Sequence, residues 1–176
     1  TLEDLLNGLL LYSGNDNAVA IADHIAGSTE KFAEMMNAEA KKLMATNSHF
    51  VNPSGLHDDN HYTTAYDLYL IFNECIKHDD FVKIINSSSY TAHITGADGT
   101  KRDVKWEPTN YYAKGEATPP DNVTIIGGKT GTTKGAGNCL ILLTKDSSGN
   151  PYISIIMGAG SKPLLYQDMT SMLSKI

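Results

Sequence analysis

With 176 residues, 41% of them hydrophobic, the chain can bury a sizeable core, either in one domain or in two small lobes. A formal net charge of −6 argues against a nucleic-acid partner but leaves room for a locally basic pocket. No apolar run approaches the ~18 residues of a membrane span. No charged-then-apolar leader opens the chain, so Thr1 reads as the start of a mature or trimmed piece.

Leu2, Leu5, Leu6, Leu9 and Leu10 recur at helical spacing and predict a buried helix over residues 2–12. Thr1 is placed to cap it, with Glu3 and Asp4 in the first turn. Ser13-Gly14-Asn15-Asp16-Asn17 is a polar break before an alanine-rich helix that Gly27 ends. Ser28 caps a third helix, whose apolar face is Phe32, Met35, Met36, Ala40 and Leu43. Residues 45–62 are a turn-rich loop; His57, Asp58, Asp59 and His61 lack a regular frame there, so they read as solvated and not as a metal site. Thr63 or Thr64 caps a helix through Lys77, and a short helix follows around Asp80–Ile85. Cys75 and Cys139 lie far apart and read as buried free thiols.

From Ser87 the period changes. Residues 90–94 and 102–106 flank Ala97-Asp98-Gly99 as a hairpin. Residues 107–122 are polar and proline-bearing, a surface connection. Three strands follow at 123–130, 138–145 and 152–158, and residues 163–176 form a final helix. The expected architecture is α+β: a helical lobe over 1–86 and an antiparallel sheet lobe over 87–176, with a cleft between them.

Two short motifs face that cleft. Lys129-Thr130-Gly131-Thr132 runs off an apolar strand. Lys129 offers charge to a carboxylate and Thr130 offers a hydroxyl. Gly131 leaves the backbone edge bare for a substrate. Upstream, Ser13-Gly14-Asn15 sits between two helices. Ser-x-x-Lys, Ser-Asp-Asn and Lys-Thr-Gly together mark active-site serine enzymes of the penicillin-recognising group. Two of the three elements stand here in order, with Gly14 in place of the central Asp. Ser28-Thr29-Glu30-Lys31 has the Ser-x-x-Lys spacing, but it follows the Ser-x-Asn element and its capping role accounts for it.

The match extends beyond these motifs. Residues 5–18, 32–43, 52–56, 64–68, 128–134 and 136–140 are distributed, in order, along most of the chain. On them the sequence resembles the D-alanyl-D-alanine carboxypeptidases, the low-molecular-weight penicillin-binding proteins of bacteria. Ser-Gly-Asn favours this family over the class A β-lactamases. The resemblance implies a β-lactamase/DD-peptidase-like fold, no cofactor, and an extracytoplasmic cell-envelope enzyme. Its substrate would be a peptidoglycan stem peptide ending in D-Ala-D-Ala, and β-lactams would acylate it. By the same resemblance, Ser13 would relay a proton to the leaving amine and Asn15 would bond the substrate amide. Lys129 and Thr130 would hold the terminal carboxylate and set the proton network. The Thr132 N–H would form half of the oxyanion hole.

The family's Ser-x-x-Lys helix lies upstream of Ser-Gly-Asn, and only twelve residues precede Ser13 here. The nucleophile, its lysine and the first strands of the sheet are therefore expected to be absent. The chain alone would be inactive, and its incomplete sheet would expose an edge that invites self-association. Where the family often carries a nearby arginine, the only local cation after Gly158 is Lys162. A class A β-lactamase relative would need a deacylating glutamate, with Glu74 or Glu107 as candidates. A non-catalytic wall-binding module would keep the carboxylate pocket alone.

Overall fold

The computed structural model describes all 176 residues. Five helices lead the chain: α1 (Leu2–Leu10), α2 (Asn15–Ala26), α3 (Thr29–Lys42), α4 (Ala65–Cys75) and α5 (Asp79–Ile85). A hairpin of β1 (Tyr90–Thr95) and β2 (Lys101–Trp106) follows, then the short α6 (Tyr111–Lys114). The chain closes with β3 (Val123–Thr133), β4 (Gly137–Asp146), β5 (Pro151–Ala159) and α7 (Lys162–Leu173).

Helix starts follow their capping residues. The Ser28 Oγ accepts from the Lys31 N–H at 3.2 Å, and the Thr64 hydroxyl accepts from the Asp67 N–H at 3.1 Å. The formal Ser-x-x-Lys of Ser28 is thus a helix cap. Gly27, at φ 79, closes α2 in the left-handed region.

The main sheet has strand order β3-β4-β5, all antiparallel. Its central strand is buried on both faces, which is why residues 140–143 are an unbroken apolar run. Leu140 and Leu142 pack with Val123, Tyr112, Leu165, Tyr166, Met169 and Leu173, beneath α6 and α7. Ile141 and Leu143 point the other way, against Phe72 and Ile85 of α4 and α5. Alternation along one strand therefore joins the helices of the first half to one face of the sheet and α7 to the other.

Four expectations are corrected. The leucines of α1 are only half-buried, and Leu2 is 58% exposed; the buried residues of that helix are Asn7 and Gly8. Gly8 is buried because it meets the Asn17 side chain of α2, an approach that a Cβ would block. On α3 the buried residues are Ala33 and Ala40, while Met35 is half-exposed, because small side chains let α2 approach. Residues 107–122 are more than a surface connection: Pro108, Asn110 and Tyr112 are buried, and α6 lies within them. Cys75 and Cys139 are both free and only half-buried.

Candidate active site

Ser13 is one of two non-glycine residues with positive φ, at 65°. Such a conformation costs of order 1 kcal/mol and persists where its surroundings fix it. The Gly14 N–H donates to the Gly8 carbonyl at 3.0 Å, and the Thr109 N–H donates to the Leu11 carbonyl at 3.2 Å. Between these ties the chain turns sharply and presents the Ser13 hydroxyl to β3. Gly14 suits the site because a Cβ there would run into the Asn17 carboxamide. An aspartate in the middle of this motif would have to displace Asn17. Asn15 opens α2 and is exposed.

The Lys129 ammonium donates to the Ser13 Oγ at 2.7 Å and to the Thr130 carbonyl at 2.9 Å. Burial pushes Lys129 down to about 8, well below the ordinary lysine value. No carboxylate lies against it to hold the charge. A lysine poised there can act in both directions: the ammonium donates to the serine oxygen, and the neutral amine accepts the serine proton.

β3 has a strand partner only on the β4 side, so the other edge of Lys129-Thr130-Gly131-Thr132-Thr133 is free. At the start of the strand Gly127 passes so close to the Ile85 carbonyl that no side chain fits. This contact seats the helical half against the strand just before the motif. The Thr130 hydroxyl meets the Thr109 hydroxyl at 2.6 Å. Next to them opens a pocket lined by Ser13, Thr109, Thr130, Thr132, Tyr111 and Lys162, among others. Its aromatic wall is built by stacking: the Tyr111 and Tyr166 rings lie 4.5 Å apart at 5°. The Tyr111 N–H donates to the Tyr166 phenol at 2.9 Å. The Lys162 ammonium stands 5.7 Å from the centre of the Tyr111 ring.

Ser13, Thr130, Gly131 and Thr132 thus line one pocket, and Lys129 reaches Ser13 beside it. Lys162 is the cation in the pocket lining, since the Lys129 ammonium is engaged by Ser13 and its own strand. Sequence reasoning missed Thr109 and Tyr111, which it placed in a surface connection. A tyrosine pair inside a polar stretch, preceded by the capping residue Asn110, was the available signal. Glu74 pairs with Lys77 at 2.6 Å and Glu107 with Lys105 at 2.7 Å; neither lines the pocket.

The sequence model of the D-alanyl-D-alanine carboxypeptidase family matches residues 1–161. D-alanyl-D-alanine carboxypeptidase DacF of Bacillus subtilis is 31% identical over 98% of this chain, which covers 42% of that relative. DacD of Escherichia coli is 34% identical over 92% of this chain, covering 38% of that relative. The chain therefore spans about two fifths of the length of these curated relatives. The crystal structure of the Streptomyces K15 DD-transpeptidase superposes with a TM-score of 0.88 at 30% identity. That match covers 99% of this chain and 66% of the transpeptidase. The helices and the β3-β4-β5 sheet thus have a counterpart fold in that transpeptidase, and the extent of the family match settles the assignment: the chain belongs to the D-alanyl-D-alanine carboxypeptidase family.

Proposed function

We propose that this chain supplies the proton-relay and carboxylate-binding part of a serine D-Ala-D-Ala carboxypeptidase site. The observation that carries this reading is the 2.7 Å contact between the Lys129 ammonium and the Ser13 Oγ, set beside the free edge of β3. In the proposed reaction the serine oxygen of a Ser-x-x-Lys motif adds to the carbonyl of the penultimate D-alanine of a stem peptide, its proton passing to the lysine of that motif, and the bond to the terminal D-alanine then breaks. The leaving amine of the terminal D-alanine takes its proton through Ser13, and Lys129 resupplies that proton. Water then releases the shortened peptide from the acyl-enzyme. The same acylation by a β-lactam stops at a slowly hydrolysed ester.

The terminal carboxylate is assigned to Lys162, Thr130 and Thr109, because these line the pocket while Lys129 is turned to Ser13. The bare backbone at Gly131 and Thr132 suits pairing with an extended peptide, with the Thr132 N–H available to a developing oxyanion. Asn15, exposed at the start of α2, is assigned to the substrate amide. Residues 1–86 and 87–176 act together as parts of one catalytic domain, a reading supported by the packing of Phe72 and Ile85 on Ile141 and Leu143.

The attacking serine and its lysine are not among these residues. The one Ser-x-x-Lys, at Ser28, is spent on capping α3. The working enzyme is assigned to the bacterial cell envelope; no helix here is long and apolar enough to cross a membrane. The outer edge of β5 is also free, and its residues 151–159 carry no charge. That edge is assigned to a further strand, whether from the same domain or from a second copy.

Intact-mass measurement after incubation with a β-lactam tests the reading. The expected result is no adduct on this chain alone, and one adduct in a form that also carries an upstream Ser-x-x-Lys. A stoichiometric adduct on this chain would put the nucleophile within it, with Ser28 the first candidate, and would overturn the assignment.

A further inference from the structure

We propose that His57 is a positioning residue for the free edge of β3, a role that rests on reading that edge as the ligand-docking edge. Residues 43–64 form a long irregular connection between α3 and α4, and loops of that length in compact domains usually serve a site. This one is firmly built. Asp67 Oδ2 accepts from the Asn47 N–H and the Ser48 hydroxyl, both at 2.7 Å. The Asn37 carboxamide bonds both backbone groups of Phe50, accepting at 2.8 Å and donating at 2.7 Å. His49 and Tyr62 form a bridge across the neck of the loop, and the Val51 N–H donates to the His61 Nδ1 at 3.2 Å.

The tip of this anchored loop reaches the sheet. The His57 ring lies so close over Gly135 that a Cβ there would sit 2.6 Å from Cε1 and 2.7 Å from Nδ1. Gly135 is in the turn joining β3 to β4, where the Ala136 N–H donates to the Thr133 hydroxyl at 2.9 Å. The β3 edge is unpaired on its outer side, so nothing else in the sheet restrains that side of Thr132 and Thr133. A ring resting on the turn links it to α3 and α4 and limits its swing. His57 acts by packing, and its Nε2 stands 3.5 Å from Asp59 Oδ1 on the solvent side.

The test is amide exchange by NMR on this chain with His57→Ala, His57→Phe and Gly135→Ala. Exchange at Thr133 and Ala136 is expected to quicken about fivefold in His57→Ala and Gly135→Ala, with Leu142 and Leu143 unchanged. His57→Phe keeps a flat ring and is expected to restore the slow exchange. Affinity for an acylated peptide ending in D-Ala-D-Ala is expected to fall about threefold in His57→Ala and to recover in His57→Phe. Unchanged exchange at the turn in His57→Ala would overturn the proposal. So would a Phe variant as fast as the Ala variant, since the imidazole and not its packing would then be at work. If no variant, nor the parent chain, binds the peptide, the docking reading fails while the exchange data still decide the role of His57.

Discussion

Lys129 offers the sharpest quantitative test. Burial holds it at about 8 against an ordinary 10.5, with no neighbouring carboxylate to offset the desolvation. A gap of that size corresponds to roughly 3 kcal/mol between the charged and neutral forms. Solvent reaches part of the side chain, so the expected stability effect is about 1–3 kcal/mol. The sign follows from proton binding. Below pH 8 the folded chain carries a buried ammonium and bears its cost. Between about 8 and 10.5 the unfolded chain binds the extra proton, so stability rises with pH in that window. Urea unfolding of the parent chain and of Lys129→Met, compared from pH 7 to 10.5, isolates this effect, because all other groups titrate in both. The difference is expected to move in favour of the parent as pH rises. A constant difference, or an NMR titration of the Lys129 Nζ at the ordinary value, would refute the desolvation argument and the proton relay built on it.

Other perturbations read other parts of the structure. Lys162→Ala is expected to weaken binding of a peptide carboxylate about tenfold by calorimetry while leaving the thermal midpoint in place. Gly127→Ala drives a Cβ into the Ile85 carbonyl and is expected to cost at least about 1–3 kcal/mol in urea unfolding. Leu142→Ala empties a fully buried position in the central strand and is expected to cost about 2–5 kcal/mol by the same measurement.

Much of this site is legible in the sequence because local chemistry determines it. The apolar runs at 123–130 and 138–145 carry the β3-β4 pair, so the place of Lys129 and Thr130 on a strand follows directly. Ser13 and Gly14 fall between two helices and Asn15 opens the second, as the polar break implies. The capping role of Ser28 is local as well.

Thr109 and Tyr111 were hidden because their burial is made by distant partners, Thr130 for one and Tyr166 for the other. A four-residue helix leaves no periodic trace. The positive φ of Ser13 was equally invisible, since it arises from ties to Gly8 and, through Leu11, to Thr109. The direction of the Lys129 side chain is set by that turn. Residue type alone therefore does not tell that the Lys129 ammonium meets the Ser13 hydroxyl. Leucine spacing in α1 marked a helix correctly but overstated its burial, because periodicity does not say how closely the neighbours approach.

The most direct measurement is an NMR titration of this chain with an acylated peptide ending in D-Ala-D-Ala, as the free acid and as the C-terminal amide. The account predicts saturable shifts at Ser13, Thr130, Thr132 and Lys162 with the acid, and an amide bound at least about tenfold more weakly. Equal binding of the two peptides, or shifts confined to residues away from the free edge of β3, would contradict it.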